Sequence, residues 1–403
     1  MISFKLNQTQ IEVRAEFEFF ARRYLRPFAA ESDRLADLPA ALLENQEALN
    51  YARALIPREF GGGYRSLINQ GDRYELADQA MLRVLMFEEA GFGDPGLFAA
   101  LPGPGLAEPI LRAFGSLEQQ EKFFGIFREA APRWAAFAMT EPQAGSDLAA
   151  ISTTAIKRGD RYLINGRKWF IGNGGRADWV VVFATINPRM GQFGIRAFVV
   201  ERGAPGFRVG KILPTMGMKA LQPAELIFEN CEVSEECLLT GKKANRRRGG
   251  FQAGLRTLYL MRPAVGAMAV GAGRAAIELL ETVLTTSPKR RATAGRRVAI
   301  EARLEAMKSR LAAARLLCWN AACVYDSGRD NSREASIAKA FSGKTAMQVC
   351  LESMELASTA GLDDEQNWSE FERLLRNIKV FEIVEGATDI QRLTVLGSLL
   401  RQA

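Results

Sequence analysis

The hydrophobic pattern of this 403-residue chain changes its period twice, and this change constrains the fold more than any other feature of the sequence. Up to about residue 130, apolar residues such as Ile11, Phe17 and Phe20 recur at roughly helical spacing. Between residues 151 and 233 the pattern shifts to short β-rich runs, and from about residue 245 onward it is helical again. The sequence therefore predicts an α, then β, then α architecture.

Short strands fill the predicted middle region. Two β-rich runs within residues 151–172 flank an Arg158-Gly159-Asp160 turn, and further strand candidates cover residues 179–186, 195–201 and 225–233. Strands at this spacing are typical of a compact antiparallel barrel or sandwich.

Apolar stripes mark the long helices of the last region. One stripe alternates steps of four and three residues and consists of Ile300, Leu304, Met307, Leu311, Ala314 and Cys318. A second stripe consists of Met347, Cys350, Leu351 and Met354. Long helices with short connections indicate an antiparallel bundle.

Histidine is absent from the chain. Its absence excludes Ser-His-Asp and Cys-His triads, a histidine general base and metal sites that need imidazole, and we expect no metal. Any proton chemistry must therefore use carboxylates, Lys, Tyr, Cys or a cofactor.

Charge, cysteine content and hydropathy predict a soluble cytoplasmic protein. The net charge of +7 is too diffuse to indicate a nucleic-acid surface. The five cysteines form no CxxC pair, which favours reduced thiols. The first residues contain no secretory apolar region, and the longest apolar stretch, residues 263–273, is too short for a transmembrane segment.

Two basic clusters leave two interpretations open. They are Lys242-Lys243 with Arg246-Arg247-Arg248, and Lys289-Arg290-Arg291 with Arg296-Arg297. Each cluster is either a solvated surface or a docking site for an anionic substrate handle, such as the phosphates of CoA or the acidic face of a carrier protein.

Two glycine-rich runs match the GxGxxA pattern of dinucleotide-binding proteins. The run from Gly271 to Ala276 lies in a helical region without a preceding strand, so it predicts close helix packing instead. The run from Gly172 to Ala177 follows a strand but lacks a βαβ unit, so it predicts a tight turn.

Two segments of the middle region carry groups that suit a planar heterocycle. In AFAMTEPQAGSD (136–147), the Thr140 hydroxyl, the main chain around Met139 and the Gly145-Ser146 turn can hydrogen-bond a heterocycle and a phosphate. In GRKWFIGNGG (166–175), Phe170 or Trp169 can stack on an aromatic ring.

A third segment, IVEGATDIQRL (383–393), has Glu385 before Gly386 within a pattern that otherwise indicates buried helix. These three segments, with IPREFGG (56–62) and FGSLEQQEKF (114–123), follow the order and spacing of the acyl-CoA dehydrogenase family of flavoproteins. The chain resembles this family over essentially its whole length.

The resemblance implies an α+β multi-domain fold. An N-terminal α-helical domain would cover residues 1–132, a central antiparallel β-barrel residues 133–244, and a C-terminal four-helix bundle residues 245–403. FAD would bind between the barrel and the bundle. The protein would form a homodimer or homotetramer in which the neighbouring subunit contacts the FAD.

The resemblance also implies the site residues. Met139 and Thr140 would hydrogen-bond the flavin ring, Ser146 would lie by phosphate and substrate, and Phe170 would flank the isoalloxazine. The other implied cofactor-binding residues are Ile171, Gly172, Gly386, Thr388 and Arg291. Of these, Arg291 would reach FAD across the subunit interface. The implied substrate-binding residues are Ser146, Tyr259, Arg262 and Glu385.

Glu385 is the expected catalytic base. A carboxylate in a desolvated pocket has a raised pKa and can remove the proton α to a thioester carbonyl, while the β hydride passes to flavin N5. We therefore expect an FAD-dependent α,β-dehydrogenase of an acyl-CoA or acyl-carrier-protein thioester. Its electron acceptor would be an electron-transfer flavoprotein or another carrier. The alternatives are an oxidase or monooxygenase on the same fold and a non-catalytic member with an eroded FAD site.

Departures from the family pattern cluster on the ADP half of FAD. Gly172 and Ala387 each replace a threonine, Ala294 replaces a phenylalanine, Glu355 and Asp389 each replace a glutamine, and Ser358-Thr359 replaces a Gly-Gly pair. A glutamate near a pyrophosphate would repel it. We therefore expect the ADP half to be held weakly or through rearranged contacts.

Overall fold

Helices dominate the first part of the protein, as predicted. The computed structural model describes residues 5–68, 73–74, 76, 79–129, 131–240, 249–286, 294–359 and 365–400. The first α-helices are α1 (Gln8–Phe20), α2 (Ala29–Leu35), α3 (Ala40–Leu43), α4 (Gln46–Ala52), α5 (Ala80–Gly93), α6 (Pro95–Ala100), α7 (Ala107–Phe114) and α8 (Leu117–Gly125). Two short strands that the sequence did not predict, β1 (Tyr64–Arg65) and β2 (Arg73–Tyr74), form an antiparallel pair between α4 and α5.

Helix α5 is the central helix of this part, because all of its residues are buried. The Asp326 carboxylate accepts the backbone N–H groups of Ala80 and Met81 at 2.7 and 3.0 Å, and so satisfies donors that the helix start leaves free. Asp94 follows the helix and caps α6 by accepting the Leu97 N–H at 2.8 Å.

The middle of the chain forms a curled seven-stranded sheet. Its strands are β3 (Ala135–Ala138), β4 (Thr154–Arg158), β5 (Arg161–Ile171), β6 (Trp179–Thr185), β7 (Ile195–Glu201), β8 (Phe207–Ile212) and β9 (Ala224–Ser234). The predicted strands in this region are confirmed. Strands β3 and β8 were not predicted, because β3 has only four residues and β8 is polar and half exposed.

The sheet is mostly antiparallel, as expected. The strand order is β3-β6-β4-β5-β9-β8, and β7 also pairs with β6. Strands β3 and β4 both run parallel to β6, so the sheet contains two parallel pairings among its antiparallel ones. Strands β4 and β5 form the predicted hairpin: Arg158 pairs with Arg161, and Gly159 in the turn has a φ of +61°.

The last part of the described chain is helical again. Its α-helices are α9 (Gly249–Thr286), α10 (Ala294–Asp326), α11 (Ser332–Thr359), α12 (Glu365–Lys379) and α13 (Thr388–Leu400). The predicted stripe of α10 is confirmed, because Met307, Leu311, Ala314 and Cys318 are buried in the core.

The predicted stripe of α11 is only partly correct. Cys350 is buried, but Leu351 is 49% exposed. The face of α11 that packs in the bundle carries mainly small residues at steps of three and four, namely Ala335, Ala338, Ser342, Ala346, Val349 and Ser353. Because alanine and serine contribute little to a hydropathy pattern, the larger Leu351 misled the prediction.

Helix α9 crosses α5 at a distance that only glycine permits. A Cβ atom on Gly271 would lie 1.9 Å from the backbone oxygen of Glu88, and one on Gly91 would lie 2.1 Å from that of Met268. The GxGxxA run of α9 therefore packs a helix closely, as predicted. A part of α9, Gly254–Thr286, is long and apolar enough to cross a membrane, but 89% of its apolar window is buried in the protein, as in a core helix.

We expect Gly271→Ala to destabilise the protein by about 3 kcal/mol, because the added methyl group must push two helix backbones apart. Gly125→Ala is the matched control. Gly125 also has helical backbone angles, but a Cβ atom there would meet nothing within 4 Å. The control should change the free energy of unfolding by less than about 1 kcal/mol. Denaturant unfolding of both variants measures the difference, and equal effects would contradict the close crossing.

Candidate active site

Glu385 lies in a left-handed turn between α12 and α13. Its φ is +57°, and Gly386 follows with a φ of +95°. A left-handed conformation costs a non-glycine residue roughly 1–2 kcal/mol, so the surrounding structure must hold it. A Cβ atom on Gly386 would lie 2.2 Å from Gln391 Nε2, which explains the glycine at this position.

Side chains from three helices hold this turn through two adjacent carbonyl groups. Arg262 of α9 donates from Nε to the Glu385 oxygen at 2.9 Å, and Gln391 of α13 donates to the same oxygen at 3.3 Å. Lys339 of α11 donates from Nζ to the Gly386 oxygen at 2.5 Å. These bonds fix the backbone from which the Glu385 side chain projects.

Glu385 is partly exposed as a residue, but one oxygen atom of its carboxyl group is buried. Its Oε2 atom has no hydrogen-bond partner among the described residues. Burial raises the pKa of Glu385 to about 7, although the nearby charges of Arg262 and Lys339 oppose this shift. A carboxyl group with this pKa can take up and release a proton near neutral pH.

On the sheet side, a buried ion pair fixes the segment that contains Met139 and Thr140. Lys168 of β5 and Glu141 are almost completely buried, and Lys168 Nζ lies 2.8 Å from Glu141 Oε1. Lys168 also donates to the Met139 oxygen at 3.0 Å, while Glu141 accepts the backbone N–H groups of Ser152 and Thr153. The pair therefore joins β5 to the loop after β3.

Burial has opposite effects on the two charges of this pair. It lowers the pKa of Lys168 to about 8, against the attraction of Glu141. Burial alone would raise the pKa of Glu141, but the Lys168 ammonium group and the hydrogen bonds to Glu141 lower it to about 2. Both groups are therefore charged at neutral pH.

The end of β5 presents an aromatic ring beside this loop. The Trp169 N–H donates to the Thr140 oxygen at 2.9 Å, which holds the strand end against the loop. Phe170 has a φ of +55° and is 56% exposed, whereas Ile171 after it is buried. The Thr140 side chain forms no hydrogen bond within the described ranges. The predicted tight turn at residues 172–177 follows directly.

Helix α9 connects the sheet side to Glu385. A Cβ atom on Gly254 would lie 3.4 Å from Met139 Cε, so the start of α9 touches the loop after β3. Arg262 lies eight residues further along the helix, or about 12 Å at ~1.5 Å per residue. Met139 and Glu385 therefore lie at opposite ends of one short length of α9.

The structure brings most of the predicted site residues into two groups. Tyr259, Arg262, Glu385 and Gly386 form one group, in which the Arg262 guanidinium lies 5.2 Å from the centroid of the Tyr259 ring. The sheet-side group contains Met139, Thr140, Phe170, Ile171 and Gly172.

Other predicted residues have different surroundings. Ser146 is exposed on the loop after β3, and the Thr388 hydroxyl donates to the Glu382 oxygen at 3.3 Å. Arg291 and the cluster Lys242-Lys243 with Arg246-Arg247-Arg248 lie outside the described residues, as do the side chains of Arg296-Arg297. Glu355 forms an exposed ion pair with Arg303 at 2.8 Å, so its charge is directed at the bundle surface.

Two buried lysines beside the candidate site were not predicted from the sequence. Lys339 lies on the buried, small-residue face of α11. A lysine is unusual there, because lysines are rarely buried without a partner. Lys168 occupies an inward position of β5, in phase with the buried Tyr162 and Ile164. A cation at an inward strand position is the signal that could have indicated the pair with Glu141.

Family models match the chain in three consecutive segments. The acyl-CoA dehydrogenase N-terminal domain matches residues 7–126, the middle domain residues 136–231 and the C-terminal domain residues 248–400. An acyl-CoA dehydrogenase of Bacillus subtilis (strain 168) is 33% identical over 399 residues, which are 98% of this chain and 99% of the relative.

Solved structures agree with these matches. Butyryl-CoA dehydrogenase from Megasphaera elsdenii is 31% identical with a TM-score of 0.82, and the match covers 99% of this chain and 100% of that one. The prolyl acyl carrier protein oxidase AnaB is 28% identical with a TM-score of 0.83, and the match covers 98% of this chain and 100% of that one. The order of helical, sheet and helical domains is shared with solved oxidoreductases of this fold. The chain belongs to the acyl-CoA dehydrogenase family.

We expect Lys168→Met to destabilise the protein by about 3–5 kcal/mol, because it leaves the buried Glu141 carboxylate without its cation. The double variant Lys168→Met/Glu141→Gln should recover part of this loss. Lys157→Met is the control, since Lys157 pairs with Glu235 on the exposed face of the sheet and should unfold at nearly the wild-type denaturant concentration. If Lys168→Met behaved like Lys157→Met, the buried pair would have no structural role.

Proposed function

We propose that this protein is an FAD-dependent α,β-dehydrogenase of an acyl thioester in which Glu385 removes the α proton. The observation that carries the proposal is the buried, partly unpaired carboxyl group of Glu385, with its pKa raised to about 7. The α proton of a thioester is weakly acidic, so its base needs a higher proton affinity than a solvated carboxylate has. Family membership supports the same reaction.

The main chain of Glu385 can assist this step. The Glu385 N–H has no acceptor within the described ranges, and it lies in the same turn as the carboxyl group. A free N–H of this kind can stabilise the negative charge that develops on the thioester oxygen as the α proton leaves. Base and oxyanion donor then belong to one residue, whose position Arg262, Lys339 and Gln391 fix.

The residues on the sheet side fit a flavin. Phe170 offers an exposed ring for stacking, and the Thr140 hydroxyl is free to hydrogen-bond a heterocycle. FAD, when bound, supplies the acceptor for the β hydride. We propose that Met139, Thr140, Phe170, Ile171 and Gly172 hold the flavin ring, and that Gly386 and Thr388 adjoin it. Arg291 and Ser146 would contact the phosphates, Arg291 from a neighbouring subunit.

The proposed substrate carries its acyl group on CoA or on an acyl carrier protein. Relatives with names that state either kind of substrate match the chain over nearly its whole length. The proposed electron acceptor is an electron-transfer flavoprotein, and the proposed assembly is a homodimer or homotetramer in the cytoplasm. Retention of a buried base favours the dehydrogenase over an oxygenating flavoprotein, which does not need to remove an α proton.

We expect Glu385→Gln to bind FAD, but its rate of flavin reduction by substrate should fall by a factor on the order of 10³. The reason is that the amide cannot accept the proton. The measurement is anaerobic bleaching of the flavin in FAD-loaded protein titrated with panels of acyl-CoA and acyl-carrier thioesters. The control is Glu121→Gln, since Glu121 is an exposed carboxylate of α8 and should leave bleaching unchanged.

Three results would contradict the proposal in different ways. Bleaching of Glu385→Gln at the wild-type rate would exclude Glu385 as the base. Rapid peroxide formation with substrate in air would indicate an oxidase. A purified protein that cannot be reconstituted with FAD would indicate a non-catalytic member of the family.

The rate of flavin reduction should rise with pH and reach half of its maximum near pH 7. The base is active only when Glu385 is ionised, and burial raises its pKa to about 7. Single-turnover reduction measured between pH 5 and about pH 9 tests this expectation. A rate that is already maximal at pH 5 would contradict a raised pKa.

A further inference from the structure

Lys339 holds the turn through a hydrogen bond, but the proposed reaction does not yet use the positive charge of this buried side chain. It is 1% exposed, and its Nζ atom donates to the Gly386 oxygen at 2.5 Å. Its neighbours on the packed face of α11 are small residues such as Ala338 and Ser342. Burial lowers the pKa of Lys339 to about 8, chiefly against the attraction of Glu385, so the ammonium form still dominates at neutral pH.

Three further ionisable groups surround Lys339 and Glu385. Arg262 and Tyr259 belong to α9, and Glu382 belongs to the turn before Glu385. Arg262 and Lys339 both favour the ionised form of Glu385, whereas Arg262 opposes the charge of Lys339. Arg262 is already bound to the Glu385 oxygen and stacked near Tyr259. Arg262 and Lys339 are therefore two cations that lie near the Glu385 carboxylate.

We propose that Lys339 is a positioning residue of the base: it holds the turn at Gly386 and keeps the neighbouring Glu385 carboxylate ionised in a desolvated pocket. This inference rests on the proposed function of Glu385. Its geometric basis is the arrangement of donors, because Arg262 and Lys339 approach consecutive carbonyl groups from different helices. Two such anchors prevent rotation of the left-handed turn that carries the carboxyl group.

The charge of Lys339 limits how far burial raises the proton affinity of Glu385. Without that charge, Glu385 would bind its proton more tightly, because only Arg262 would remain to stabilise the carboxylate. The base would then be protonated over more of the neutral range. A lysine that served only as a structural donor would have a different effect, since its loss would lower the rate equally at every pH.

Two substitutions separate the anchoring role from the charge. Lys339→Met removes both the donor and the charge, whereas Lys339→Gln removes the charge and keeps a donor. The control is Lys344→Met, since Lys344 is exposed on the same helix. FAD content, circular dichroism and thermal unfolding establish that each variant is folded. The rate of anaerobic flavin reduction at saturating thioester is then measured between pH 6 and about pH 10.

Both Lys339 variants should shift the midpoint of the pH profile upward by about one unit, the lower end of the range for a nearby charge. This shift alone lowers the rate at pH 7 about fivefold. Lys339→Met should also reach a lower plateau at high pH than Lys339→Gln, because it has lost the anchor. The concentration of thioester that gives half of the maximal rate should change little, and Lys344→Met should match wild type.

The proposal is wrong if neither Lys339 variant shifts the midpoint of the pH profile upward. A lower plateau rate without such a shift would indicate that Lys339 has only a structural role. Failure of both variants to fold would also contradict it, since Lys339 would then serve stability rather than the base. Glu385→Gln, measured in parallel, keeps the two claims apart. If Glu385→Gln is inactive and the Lys339 midpoints are unchanged, Glu385 remains the base and only the role of Lys339 is refuted.

Discussion

The rest of the site depends on three hydrogen bonds, by which Arg262, Gln391 and Lys339 hold the carbonyl groups of Glu385 and Gly386. A left-handed glutamate with a partly unpaired, buried carboxyl group is unfavourable by itself. It persists because α9, α11 and α13 are fixed relative to one another by packing. The glycine-mediated crossing of α5 and α9 and the small-residue face of α11 bring these helices close enough for Arg262 and Lys339 to reach the turn.

On the opposite side of the site, buried charged side chains also hold the backbone in place. There Lys168 and Glu141 are buried together, and the pair binds the Met139 oxygen and the backbone beyond the loop. A buried pair is costly to desolvate and contributes little net stability, but it fixes geometry because breaking it is costly. Charged groups thus position the proposed flavin-binding loop and the proposed base, while α9 sets the distance between them.

Much of this arrangement could be predicted from the sequence. The change of period predicted the helical and sheet regions, and the resemblance of the segment around Glu385 to the family indicated the proposed base. The sequence did not reveal Lys339, because its contact with Gly386 spans 47 residues and depends on which face of α11 is buried. That face consists of alanine and serine, whose hydropathy does not distinguish it, and for the same reason Leu351 was assigned to the wrong side. Strand β3 was too short to predict, and the parallel pairings of β6 depend on contacts between distant segments.

As the proposed base, Glu385 must change its protonation state near neutral pH, and the most direct test observes that carboxyl group itself. Infrared difference spectra of the FAD-loaded protein, wild type minus Glu385→Gln, isolate the C=O band of the protonated side chain without any turnover. We expect this band to disappear as the pH is raised, with a midpoint at about 7. A midpoint near the ordinary glutamate value of 4.5 would contradict it.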